Sequence, residues 1–83
     1  MHLLTQVTPL PDYKLALTFG TGETKVADIN PFLQTEAFES LHNPTLFNTV
    51  ANKEYYVEWL DGEVDLSADT LWHISTAIKH KEK

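Results

Sequence analysis

The chain has 83 residues and a net charge of −6, and it contains no cysteine and no arginine. This length makes one domain, and the hydrophobic fraction of 42% supports one core and excludes a disordered chain. The absence of cysteine excludes disulfides and thiolate metal sites. Because arginine is the residue best suited to phosphate contact and base reading, its absence disfavours direct binding to DNA or RNA.

The N-terminal sequence and the hydropathy predict a cytoplasmic protein with no membrane segment. The first six residues have neither a basic region nor a long apolar run, so they do not form a signal peptide. No stretch approaches the roughly 20 apolar residues that a membrane span needs. We therefore expect a single cytoplasmic α+β domain over residues 1–83, with a frayed tail over about 79–83.

The first third of the chain predicts an antiparallel meander. Leu3 and Val7 flank Thr5 in an alternation that favours a strand, and Pro9–Asp12 predicts a turn. The apolar residues at 13, 15, 17 and 19 recur at period two, which is typical of a strand with one buried face. A glycine hairpin at 20–22 then leads to a return strand over 24–29.

The middle of the chain predicts two short helices and a second strand pair. Each helix begins at an Asn-Pro pair, a common N-cap followed by proline in the first turn. The first runs from Pro31 to Leu41 with Leu33, Ala37 and Leu41 on one stripe and Phe38 beside it. The second is a shorter turn from Pro44 to Val50. Strands over 55–60 and 64–66 follow, separated by the turn dipeptide Asp61-Gly62.

The strongest sequence pattern predicts a C-terminal helix that packs on the sheet. Ser67 is a suitable N-cap, and Leu66 and Leu71 are spaced as a hydrophobic staple. The predicted buried stripe consists of Leu71, Ile74 and Ile78, with Trp72 flanking it. Lys79, His80 and Lys81 would lie at the negative end of this helix.

No sequence pattern predicts a catalytic, cofactor or metal site. The acidic stretch from Asp61 resembles a calcium loop but has Leu66 and Trp72 where such a loop needs Gly and Glu. The four histidines are dispersed, and His73 and His80 are about 10.5 Å apart along a helix. The glycines at 20 and 22 lack the spacing of a phosphate loop and precede a strand rather than a helix.

Aromatic and acidic residues of the second strand pair predict an interaction surface. Alternation places Tyr56 and Leu60 on the face opposite Val57 and Trp59, beside several acidic residues. Exposed aromatic residues beside acids suit protein binding, although a sheet that is covered on both faces accounts for the same pattern. The predicted surface consists of Tyr56, Glu58, Leu60, Asp61, Glu63 and Trp72.

Several short motifs, taken in order, resemble the small bacterial domain of unknown function, family 2442. They are Pro9-Leu10-Pro11-Asp12-Tyr13, Gly22-Glu23, Asp28-x-x-Pro31-x-Leu33, Phe38-x-x-Leu41, Pro44-x-x-Phe47-x-x-Val50, Trp59, Asp65-Leu66 and Asp69-Thr70-Leu71. The resemblance covers about Leu3 to Ser75. The chain departs from the family pattern at Asn43, where Asp is usual, and at Leu60-Asp61, which replaces Pro-Asn.

The resemblance implies a compact α+β domain with an antiparallel sheet. Some members are encoded beside another small protein, in an arrangement that resembles toxin–antitoxin gene pairs, and others are fused to a helix-turn-helix domain. We therefore expect a non-enzymatic protein-interaction module, the acidic member of a small two-gene regulatory pair with a basic partner encoded nearby. One alternative is a small-ligand-sensing domain of a transcriptional regulator system, with Tyr55, Trp59 or Trp72 lining an apolar pocket. Another is a hydrolase using Asp or His, and homodimerisation through an edge strand is a further expectation.

Overall fold

The computed structural model describes residues 1–77, in which two antiparallel sheets share one core. The first sheet has the order β1-β2-β3-β7, and the second has the order β4-β5-β6. The predicted α+β class, with a meander followed by a second group of strands, is confirmed. The strands are β1 (Leu4–Leu10), β2 (Lys14–Phe19), β3 (Thr24–Asp28), β4 (Ala51–Asn52), β5 (Tyr56–Trp59), β6 (Val64–Ser67) and β7 (Thr76–Ala77).

The meander forms as predicted, with two differences in β1. A register shift between Leu4 and Gln6 changes the alternation, so Leu4 is buried, whereas Leu3, which formed part of the predicted alternation, is exposed. The strand also runs through Pro9 and Leu10, which the sequence assigned to a turn. Proline is tolerated there because β1 is the first strand in the sheet order, where a missing N–H breaks no internal ladder.

The predicted helix over 31–41 is instead two 3-10 helices, Asn30–Gln34 and Glu36–His42. They are separated by Thr35, whose backbone is extended at φ −94° and ψ 154°. Because a 3-10 helix has three residues per turn, Phe38 and Leu41 share its buried side, and Ala37, which an α-helical stripe would bury, is exposed. The next predicted turn contains α1 (Pro44–Phe47), capped by the Asn43 side chain, which accepts from the Thr45 N–H at 2.9 Å.

The second sheet contains the predicted strand pair and one short additional strand. β5 and β6 pair antiparallel, and the two residues of β4 pair with Glu58 and Val57 on the other side of β5. The short 3-10 turn Leu60–Gly62 joins β5 to β6. The sequence missed β4 because two residues are too few to show an alternation.

The C-terminal helix, α2 (Ala68–Ile74), begins as predicted but ends earlier. Ser67 caps it by accepting from the Thr70 N–H at 3.0 Å, and the staple residues Leu66 and Leu71 are both buried. Ser75 is extended, and the chain then pairs with β3 as β7. Ile74 is consequently 39% exposed rather than buried. The predicted helix positions from Ile78 to Lys81 lie outside the described residues.

The core lies between the inner faces of the two sheets and is closed by the helices. Trp59 is 1% exposed and donates its indole N–H to the carbonyl of Phe47 at 2.8 Å. Its ring stacks on Phe47 at 5.8 Å and meets Phe38 edge-on at 6.0 Å. Within residues 1–77, no helix has both the length and the apolar character needed to cross a membrane.

Candidate interaction surface

The outer face of the second sheet carries a row of acidic and aromatic residues. Val57 and Trp59 point into the core, so their neighbours Tyr56 and Glu58 point outward. Tyr56 pairs with Ser67 across the ladder, and Glu58 pairs with Asp65. Two of the predicted surface residues, Tyr56 and Glu58, therefore share one face. The sequence did not assign Asp65 to the surface, because its partner depends on the register of the hairpin.

The pairing of Glu58 with Asp65 places two acidic residues directly opposite each other in the ladder. Like charges at such positions destabilise a sheet by about 0.2–1 kcal/mol. Lys53 Nζ lies 3.8 Å from Glu58 Oε2, a long contact whose lysine end is well solvated. A single exposed lysine offsets little of the repulsion. Two acidic residues thus lie next to each other on this face, with one exposed lysine in contact with Glu58.

The turn after β5 places further acidic residues beside the same face. Leu60, Asp61 and Gly62 have positive φ values of 55°, 54° and 91°. Glycine adopts this conformation without strain, whereas the bulky side chain of Leu60 does so at a cost. The turn leaves Asp61 and Glu63 exposed. A groove of about 310 Å³ borders it and is lined by Leu46, Thr49, Ala51, Glu58, Trp59, Leu60 and Asp61.

Trp72 belongs to a different cluster of side chains. Its ring stacks on His2 at 4.4 Å and meets Phe19 edge-on at 4.9 Å. Lys25 Nζ lies 3.8 Å from the ring centroid and donates to the Trp72 carbonyl at 2.8 Å. Sequence reasoning grouped Trp72 with the acidic strand pair because no local pattern shows the stacking on His2.

Of the other aromatic residues considered, Tyr55 is exposed and Trp59 is buried. Tyr55 is 50% exposed and Tyr56 is 40% exposed. Both tyrosines lie next to the acidic residues and present a large polar-tipped side chain to solvent. The structure therefore provides exposed aromatic groups beside acids. Trp59, which the ligand-sensing alternative placed at an apolar pocket, lies in the core.

A small pocket lies beside the turn that joins β1 to β2, and the sequence did not predict it. Asp12 and Tyr13 have positive φ values of 65° and 62° in the turn after β1. The Tyr13 hydroxyl donates to the carbonyl of His42, which holds the turn against α1. A pocket of about 210 Å³ results, lined by Leu10, Pro11, Asp12, Tyr13, Pro44, Phe47 and Asn48. Only the Pro-Asp dipeptide of this turn was visible as a signal.

The family model described as "Protein of unknown function (DUF2442)" matches residues 4–77. The chain belongs to this family. The resemblance carried by the ordered motifs is therefore confirmed over nearly their whole extent. No curated protein matches the chain, and no solved structure matches it.

Within residues 1–77 of this DUF2442 chain, the carboxyl groups with a shifted pKa are Asp28 and Asp69, and both shifts are downward. Hydrogen bonds from the His2 side chain and backbone lower the pKa of Asp69, and hydrogen bonds from Asn30 lower that of Asp28. A carboxyl group with a lowered pKa is a poorer proton donor near neutral pH. Within residues 1–77, no three His, Asp or Glu side chains are grouped so as to hold a metal ion.

Proposed function

We propose that this DUF2442 chain is a non-enzymatic protein-interaction module that binds a basic protein through its acidic face. The acidic face comprises Tyr56, Glu58, Asp61, Glu63 and Asp65. The observation that most supports the proposal is the direct opposition of Glu58 and Asp65 across the β5–β6 ladder. Like charges in these positions do not stabilise a sheet, whereas a cationic partner placed over the pair would be attracted to both.

The exposed side chain of Tyr56 supports the same surface. Tyr is among the residues that most often supply the energetic centre of a protein interface, and Tyr56 lies at the start of β5 on the acidic face. The net charge of −6 favours electrostatic attraction of a basic partner over long range. Complementary charge mainly accelerates association, while the aromatic contacts would set the lifetime of the complex.

We propose further that the partner is the product of a neighbouring gene in a cytoplasmic two-gene regulatory pair of the toxin–antitoxin type. The resemblance of the chain to its family motivates this assignment, and the acidic face provides a physical basis for it. The partner should carry lysines or arginines at its binding surface. It should also need no metal or small cofactor from this chain.

Co-purification of the chain with the neighbouring gene product is the direct test. A complex should form at moderate ionic strength and weaken as salt is raised, because the charges involved are exposed. Failure of the neighbouring product to bind, with no other protein captured, would contradict the proposal.

Asp65→Asn distinguishes a binding role of the acidic pair from a structural one. The substitution removes the repulsion with Glu58 and retains the Lys53 contact. We expect the free protein to become more stable by up to about 1 kcal/mol, while the complex weakens. Glu39→Gln, on the exposed side of a 3-10 helix, removes one charge elsewhere and is the matched control. Equal weakening by both variants would indicate an effect of net charge alone.

The small-ligand-sensing alternative has one observation in its favour, the pocket beside the Asp12–Tyr13 turn. Its volume of about 210 Å³ lies below the usual range of about 300–1,000 Å³ for ligand sites. Its floor includes Phe47, which stacks on Trp59, so a bound ligand should alter the fluorescence of Trp59. Titration with a metabolite library tests this alternative, and an unchanged emission spectrum throughout would reject it.

A further inference from the structure

The outer face of the four-stranded sheet forms a flat grid that is rich in threonine. Antiparallel pairing arranges its outward residues in three rows that run across the strands. We call this surface the threonine face. Its rows are Gln6-Thr18-Thr24, Thr8-Ala16-Val26-Thr76 and Leu10-Lys14-Asp28.

No helix within residues 1–77 packs on the threonine face. The helices contribute Leu33, Phe38, Leu41, Phe47 and Leu71 to the core cluster that contains the inward residues of β2. They therefore lie on the inner side of this sheet. Val26, at the centre of the threonine face, is half-buried by its own sheet and lies outside that cluster.

The threonine face has almost no charge in a strongly acidic chain. Of 12 acidic residues, it holds only Asp28. Asp28 lies directly opposite Lys14 in the ladder, and this lysine contributes to the lowered pKa of its carboxyl group. The face is therefore electrically neutral, so it offers no attraction to the basic partner proposed for the acidic face. It is also a surface through which two copies could approach without bringing their acids together.

We propose that the threonine face binds a second copy of this chain through a two-fold symmetric contact. The sheet order β1-β2-β3-β7 has its centre between β2 and β3. When two copies pack with their threonine faces together, a two-fold axis can lie midway between the two faces, parallel to the strands and centred between β2 and β3. This axis places β2 of one copy over β3 of the other. Such a contact is isologous, as in most homodimers.

This one axis makes every row complementary to itself. Lys14 of each copy faces Asp28 of the other, so one interface contains two ion pairs across the axis. Ala16 then faces Val26, and a small side chain is matched with a larger one. Thr18 faces Thr24, where hydroxyl groups supply hydrogen bonds. The match follows from the register of β2 with β3 in the ladder.

The small area of the face indicates a weak contact. Four strands about 4.8 Å apart and three rows about 7 Å apart give a surface of about 20 × 20 Å. The resulting contact of about 400 Å² per copy is below the roughly 800 Å² per partner of a standard interface. We therefore expect a weak, reversible dimer.

Sedimentation equilibrium from low micromolar to near-millimolar concentration tests the proposal. The mass should rise from monomer to dimer within this range and stop at two copies. Val26→Lys, which places two ammonium groups at the centre of the contact, should weaken the dimer at least about tenfold. Ala51→Lys, at a half-buried strand position on the other sheet, is the matched control and should leave the dimer unchanged.

Charge exchange identifies the symmetry of the contact. Lys14→Glu alone should weaken the dimer, and the double variant Lys14→Glu with Asp28→Lys should restore it, because each copy again meets opposite charge. Circular dichroism of each variant establishes that the monomer is folded. A monomeric mass at every concentration, a dimer unaffected by Val26→Lys, or a double variant no better than Lys14→Glu would each overturn the proposal. A dimer that is unaffected by Val26→Lys would indicate pairing through the edge strand β1 instead.

Discussion

Replacement of Trp59 by phenylalanine should destabilise the protein more than any other conservative change of an aromatic residue. Trp59→Phe removes the hydrogen bond to the Phe47 carbonyl, which is 2.8 Å long and buried. A buried acceptor left without its partner costs about 1–3 kcal/mol. The missing indole atoms leave a cavity that adds about 1 kcal/mol. The total of about 2–4 kcal/mol is a large part of the roughly 4–12 kcal/mol expected for a domain of this size.

Urea unfolding followed by circular dichroism measures this loss directly. Trp72→Phe is the control, because Trp72 is only half-buried and its described contacts are made by the ring and the backbone carbonyl. We expect the control to cost about 1 kcal/mol or less, since phenylalanine retains an aromatic ring there. Each variant leaves one tryptophan as a fluorescent reporter. A loss in Trp59→Phe no larger than in Trp72→Phe would refute the assigned role of the hydrogen bond.

Three further changes test local features of the fold. Ser67→Ala removes the cap of α2 and should cost about 1 kcal/mol in thermal unfolding; an unchanged midpoint would show that the cap contributes nothing. Gly22→Ala should also cost about 1 kcal/mol, because φ is +92° there and only open space surrounds the new methyl group. The lowered pKa of Asp69 stabilises the fold above its unfolded pKa of about 4, and this contribution is lost as the pH falls through the folded value. Asp69→Asn should therefore unfold with a weaker acid dependence than the parent chain, and identical pH profiles would reject this origin.

The strands of the first sheet were predictable because their signal is local. Large apolar residues alternate from Tyr13 to Phe19, and a buried face forces that alternation on any sheet with one side in the core. The cap at Ser67 was predictable for the same reason, since a side chain and the N–H groups it satisfies lie within three residues. The bulge that buries Leu4 in place of Leu3 leaves no such local trace.

The predicted helices failed where tertiary packing overrides propensity. The pattern from Pro31 to Leu41 is compatible with an α-helix, yet the chain is extended at Thr35, and Phe38 beyond the break packs against Trp59. α2 ends at Ile74 because the next residues gain the edge of β3, a partner more than forty residues earlier in the chain. Neither of these two long-range contacts can be predicted from the pattern of neighbouring residues.

The acidic face was predictable only in part. Composition and alternation located Tyr56 and Glu58 on one outward face, and the turn dipeptide brought Asp61 beside them. The opposition of Glu58 and Asp65 depends on the hairpin register, which the four-residue loop from Leu60 to Glu63 sets through three positive φ values. The separation of Trp72 from this face depends on His2, seventy residues away.

The two proposed surfaces are compatible because the sheets share one core. Each inner face contributes to the same hydrophobic cluster, so the acidic face and the threonine face both point away from it. A dimer formed through the threonine face would leave both acidic faces open, and the basic partner should then bind with two copies of each chain in the complex. Val26→Lys should reduce that complex to one copy of each without changing the affinity of the acidic face. Asp65→Asn should weaken partner binding without changing the dimer, so the failure of one proposal would leave the other standing.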